Sequence, residues 1–107
     1  MVIAVDEGVK RVLNNEQLYF RLLNKFSGRE MAEQIITATK DGDFKVAAAK
    51  CHALKGTAAN LAMHPLADAV AQIEELLVAD ESPEGLFPGL YEQLEAVEEA
   101  IKEIVKT

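Results

Sequence analysis

Apolar residues recur three and four positions apart along most of the chain, and the breaks fall at glycine, proline, asparagine and aspartate. A helix turns once every 3.6 residues, so this spacing gathers apolar side chains into one stripe per segment and leaves the other side polar. Segments of that kind bury their stripes against one another, which restricts the chain to a helical fold. The first segment, Asp6 to Leu13, is short, with Val9, Val12 and Leu13 on its apolar edge. Asn14 or Asn15 caps the second, where Leu18, Leu22 and Phe26 recur beside Tyr19 and Leu23. Ser27 and Gly28 kink or split it before Met31, Ile35 and Ile36 resume the stripe, and Gly42 suits the left-handed residue past a helix end.

Asp43 caps a third segment, Phe44 to Leu61, whose stripe is Phe44, Ala47, Cys51, Leu54, Ala58 and Leu61. His64 and Pro65 open a fourth, with Leu66, Val70, Ile73 and Leu77 on its inner face, since proline suits a first helical turn. After Asp80 to Gly89, which holds two prolines and two glycines, a last segment runs to Lys106 on Leu90, Leu94, Val97, Ile101 and Ile104. Short connections between long amphipathic helices favour antiparallel neighbours. The expected fold is therefore all-α: an antiparallel up-down four-helix bundle with a short N-terminal cap helix.

At 107 residues the chain fits one domain spanning 1–107. No apolar run approaches the about 18 to 20 residues that cross a bilayer, and the apolar start, Met1 to Val5, leads into Asp6 and Glu7 with no basic leader or cleavage site. A cytoplasmic domain without membrane insertion is expected. Cys51 is the only cysteine, which excludes an internal disulfide and reads as a small buried apolar group. The net charge of −7 argues against nucleic acid or an anionic membrane as a partner. Its distribution is uneven. No acid occurs between Phe44 and Ala67, where Lys45, Lys50 and Lys55 contribute +3, so −7 overall leaves −10 on the rest. A basic segment on an acidic body suits docking to something negatively charged.

Chemistry enters in the third segment. His52 follows Cys51 and so lies about 100° further around the helix, pointing outward if Cys51 and Leu54 point into the core. Lys55, Gly56 and Ala59 share its face at i+3, i+4 and i+7. A glycine inside a helix costs roughly 1 kcal/mol relative to alanine, and neither core packing nor a helix end explains Gly56. The space above it is what it offers. An exposed imidazole is a nucleophile near neutral pH, and phosphoryl transfer asks for positioning and charge stabilisation more than for covalent machinery. Lys55 supplies a cation for phosphoryl oxygens. If Met63 centres the next turn, Glu74 stands level with His52, eleven residues to either side, where a carboxylate can orient the ring.

His52-Ala53-Leu54-Lys55-Gly56, followed by Ala58-Ala59-Asn60-Leu61, resembles the HxLKG signature of the histidine phosphotransfer (HPt) family. The resemblance runs from Gln17-Leu18-Tyr19 through Ile73-Glu74. It implies a four-helix bundle with the phosphorylated histidine exposed mid-helix and no ATP site. It also implies reversible exchange with the aspartate of response-regulator receiver domains in a bacterial-type two-component phosphorelay, and a hybrid histidine kinase as a further partner. His52 matches the phosphoacceptor, Lys55 and Gly56 its neighbours, and Glu74 a frequent acid on the following helix. No cofactor is implied in this chain; the magnesium belongs to the receiver. Ala62, followed by Met63, departs from the glycine usual after the Asn-Leu pair.

The face expected to meet a receiver comprises Lys45, Ala48, Ala59 and Met63, and the lysines would make association sensitive to salt. The competing function is a non-catalytic helical adaptor that binds a receiver or kinase with His52 silent. A metal site has weaker support, because Cys51, His52 and His64 are the only soft ligands and neighbours on a helix diverge. No glycine-rich phosphate loop or paired-carboxylate arrangement points to an enzyme with its own small-molecule pocket.

Overall fold

A computed structural model describes residues 2–105, and the end of the last helix expected at Lys106 lies outside them. Six α-helices, with no strand among the described residues, follow in order: α1 (Val5–Arg11), α2 (Glu16–Asn24), α3 (Gly28–Lys40), α4 (Phe44–Asn60), α5 (His64–Val78) and α6 (Phe87–Val105). A single 3-10 turn, Glu84–Leu86, leads into α6. None of the helices is long and apolar enough to cross a membrane. α4 lies between α3 and α5; α6 packs on α5, α3 and α2, and α1 rests on α2.

The stripes read for α4, α5 and most of α6 line the core, whereas Leu13, expected on the apolar edge of the first segment, lies past the end of α1 and is exposed. Ala47, Cys51, Leu54 and Ala58 of α4 face Leu66, Val70, Ile73 and Leu77 of α5, while α6 contributes Leu90, Leu94 and Val97. Small residues on α4 let its neighbours approach closely. In α2 the buried face is centred on Tyr19 and Leu23, and Leu22 is partly exposed at 37 %. That helix therefore stands rotated from the expected stripe of Leu18, Leu22 and Phe26. Ser27 and Gly28 do not merely kink the second segment. They split it: the chain turns there to start α3, and position 28 is a glycine because a Cβ would collide with the Phe26 ring.

Side-chain caps start two helices as expected. The Leu18 N–H donates to Asn15 Oδ1 (3.0 Å) and the Val46 N–H to Asp43 Oδ1 (3.3 Å), each satisfying a free donor of a first turn. Helix ends repeat one device. After α3, α4 and α5 a residue with positive φ is followed by paired bonds back into the last turn: Gly42 and Asp43 to Thr39 and Ala38, Ala62 and Met63 to Ala59 and Ala58, Asp80 and Glu81 to Leu77 and Leu76. This is the left-handed closure that glycine adopts most cheaply. Only the first of the three has a glycine. At Ala62 (φ 61°) an L-residue accepts a conformation that costs roughly 1–2 kcal/mol, so the departure from the family's glycine sits where the backbone most wants one. The closure also turns Met63 into the core, fully buried, which removes it from the docking face on which it was expected.

The α4–α5 corner is pinned from the N-terminal side. α4 ends with carbonyls that have no partner within the helix. The Tyr19 hydroxyl, from α2, donates to the Leu61 carbonyl at 2.7 Å, and the Ala4 N–H donates to the Ala62 carbonyl at 2.9 Å. Tyr19 is fully buried, and Gly8 lacks a side chain because a Cβ there would enter the tyrosine ring. Glu7 meets His64 Nε2 at 2.7 Å at the start of α5 and lies 3.5 Å from Arg11. At the other side, Arg29 of α3 donates two bonds to Glu98 of α6 (3.0 and 2.9 Å), its guanidinium 5.8 Å from the centre of the Tyr91 ring. That hydrogen-bonded pair holds the Glu98 carboxyl below its usual range and raises the Arg29 guanidinium.

Burial pushes the Tyr19 phenol up to about 12 from its ordinary value of 10, with Glu7 adding to the shift. The unfolded chain therefore ionises first as pH rises. The stability that the neutral phenol contributes is complete below pH 10 and is lost on the way to about 12. Tyr19→Phe leaves the Leu61 carbonyl without its donor, so urea unfolding should show a loss of about 1–3 kcal/mol at neutral pH. Between pH 10 and 12 the variant should lose less further stability than the native chain.

Candidate functional site

α4 presents two opposed faces, and the site stands on the outer one. With Cys51 and Leu54 fully buried, the helical period turns His52 outward, where 76 % of its side chain is exposed. Lys55, one turn on, is 35 % exposed and leans toward α5. There Glu74, only 18 % exposed, takes both neighbours: its Oε1 accepts from Lys55 Nζ at 2.6 Å, and its Oε2 lies 3.4 Å from His52 Nδ1. One carboxylate thus bridges the ammonium and the imidazole. The ring's other nitrogen, Nε2, has no partner among the protein groups described.

Beside the ring the helix is bare. A Cβ added at Gly56 meets nothing within 4 Å, so the fold imposes no need for glycine there. Ala48 and Ala59, half-buried, continue the low surface along α4, and Lys45 is exposed. Behind the ring, Cys51 is a closed-off thiol. Burial pushes it up to about 12, the negative Glu74 adding to the shift and Lys55 opposing it, so it stays protonated and unreactive at neutral pH.

The sequence reading is corrected at one further point. Lys45, Lys50 and Lys55 do not form one basic face. Lys50 turns to α3, its Nζ 3.4 Å from Gln34 Oε1, beside a groove that also holds Glu30, Glu33, Asp41 and Asp43, while Lys55 is already paired with Glu74. His64 serves the corner through Glu7, well away from Cys51 in role and partner, and among the described residues no group of three His, Cys, Asp or Glu is placed to hold a metal ion. What the sequence reading missed is the Lys55–Glu74 contact. It assigned both residues to His52, whereas the register that brings Glu74 level with the histidine brings it within reach of Lys55 as well.

Compared with known families, residues 25–106 match the Hpt domain. The chain belongs to the Hpt domain family. The match omits α2, which the resemblance from Gln17 was expected to include, and takes in α6, which lies beyond the Glu74 at which the resemblance was expected to end. Comparison with curated proteins and with solved structures returns no match. Hpt domains are phosphotransfer carriers of two-component signalling that interact with response-regulator receivers and have no ATP site of their own. In this Hpt domain His52, Lys55 and Gly56 stand together on the outer face of α4, and Glu74 of α5 joins them.

Because Gly56 meets no steric limit within the chain, Gly56→Ala should raise the unfolding free energy by roughly 0.5–1 kcal/mol in urea titrations, the ordinary gain of alanine over glycine in a helix. A fall in stability would mean that the glycine serves the fold rather than the space above it.

Proposed function

We propose that this Hpt domain accepts a phosphoryl group on His52 and returns it to the aspartate of response-regulator receiver domains, as an intermediate of a cytoplasmic phosphorelay of the bacterial type. One observation carries the reading: an exposed imidazole whose Nδ1 faces a carboxylate while its Nε2 edge is open. With the ring proton on Nδ1 and directed at Glu74, the Nε2 lone pair is the nucleophile. It attacks the phosphorus of the receiver's aspartyl phosphate; the N–P bond forms, the bond from phosphorus to the aspartate oxygen breaks, and a carboxylate leaves. The ring keeps its Nδ1 proton and becomes cationic, which strengthens its bond to Glu74.

The remaining residues have positional roles. Lys55 offers a cation to the phosphoryl oxygens, and Gly56 with Ala48 and Ala59 leaves room for a receiver surface, with Lys45 at its edge as a long-range attraction for an acidic pocket. Helices α3 to α6 form an antiparallel up-down four-helix bundle, α1 and α2 close one end, and residues 1–107 act as a single domain. The bundle's part is rigidity: it fixes the rotation of α4 and thereby the direction of the ring.

Incubation with a phosphorylated receiver should transfer an acid-labile, base-stable label to the native chain, and His52→Gln should abolish it with helicity unchanged. An unlabelled native chain that still binds the receiver would support the adaptor reading instead.

A further inference from the structure

Glu74 holds Lys55, a cation one helical turn along α4 from the acceptor ring. Lys55 Nζ lies 2.6 Å from one of its oxygens, and the other oxygen is 3.4 Å from His52 Nδ1. The carboxylate is the most enclosed of the three groups, whereas the imidazole is largely exposed. For Nε2 to attack, the ring must bring a free lone pair, and in that form the full charges at this site are the ammonium and the carboxylate, which pair. Transfer changes both partners at once. The ring gains a positive charge on the side that faces Glu74, and the phosphoryl group places about two negative charges on the opposite edge, at Nε2. Lys55 then has a more highly charged partner beyond the ring, and Glu74 has a new cation directly before it.

We infer that phosphorylation exchanges partners at this site: Lys55 leaves Glu74 for the phosphoryl oxygens, and Glu74 passes from the lysine to the Nδ1–H of the cationic ring. The inference rests on the carrier reading of His52 and adds to it a role for Glu74 as a positioning residue. In the resting protein Glu74 keeps Lys55 ordered beside the ring and off the approaching phosphoryl donor's path. After transfer the same carboxylate stabilises the charge on the ring. Lysine suits this exchange better than arginine because its ammonium is a point charge on a flexible stem, with no planar fork tying it to one carboxylate. No atom beyond those of the transfer itself is gained or lost; two contacts change owners.

The experiment follows both contacts before and after phosphorylation of the whole chain by phosphoramidate, a small phosphoryl donor. The side-chain carboxyl carbon of Glu74, assigned by its disappearance in Glu74→Gln, is read by 13C NMR, and the phosphoryl group by 31P NMR. In the unphosphorylated protein Lys55→Met should move the Glu74 carboxyl resonance. In the phosphorylated protein the same substitution should leave that resonance nearly unmoved and shift the 31P signal instead, with Lys55→Arg restoring part of the native 31P shift and Lys45→Met changing neither. A Glu74 resonance displaced equally by Lys55→Met in both states, or a 31P signal indifferent to Lys55, overturns the exchange while leaving the carrier reading intact. A native chain that shows no phosphohistidine signal at all overturns the carrier reading, and the exchange with it.

Discussion

The fixed rotation of α4 is the constraint on which the other features depend. Ala47, Cys51, Leu54 and Ala58 are fully buried along one side, and turning the helix about its axis by one residue, about 100°, would carry this row out of the core, in one sense putting His52 in its place. Burying a side chain of leucine size is worth roughly 1.5–3 kcal/mol, so the row opposes any such slip collectively. The small residues bring α3 and α5 close enough that Glu74 reaches both His52 and Lys55 from the neighbouring helix. Core packing on one side of α4 and the exposure of His52 on the other are two consequences of the same helical period.

The corner after α4 shows how the chain secures that rotation. Ala62 takes a left-handed conformation in which glycine would be more comfortable, and two carbonyls at the helix end lack intrahelical partners. Tyr19 and Ala4 supply the missing donors from elements that lie before the matched family region of residues 25–106. α1 and α2 thus do structural work at the same turn that sets the register between His52 and Glu74. The acidic, half-exposed contacts around it, Glu7 with His64 and Arg11, orient the approach more than they stabilise it, since ion pairs in contact with water contribute little.

Much of this was legible in the sequence wherever a local rule decided the outcome. The stripes of α4, α5 and α6 are buried as their spacing dictates except at the helix ends, where Phe44, Ile101 and Ile104 are only partly buried; Asn15, Asp43 and Gly42 sit where caps belong, and the step of one residue from Cys51 to His52 turned the ring outward. The openness above Gly56 followed from the absence of any helical reason for a glycine. What was not legible depends on long-range contacts or on backbone strain. Met63 was expected on the docking face, yet the closure at Ala62 carries it inward. Leu22 lost its place in the core to Tyr19, whose hydroxyl finds a carbonyl forty-two residues away. The pairing of Arg29 with Glu98 spans sixty-nine residues, and no local pattern marks it. The lysines of α4 read as one basic face in a linear count of charge, whereas the helix sends Lys50 to α3 and Lys55 to α5.

The central claim is that the bundle presents one nitrogen of one histidine, with the other turned to Glu74. It is tested most directly by long-range 1H–15N correlation spectra of the His52 ring, recorded on the native chain before and after phosphorylation. A proton on Nδ1 in the resting ring and phosphorus bonded to Nε2 in the modified one is the predicted result. A phosphoryl group on Nδ1, or on any residue other than His52, would contradict it.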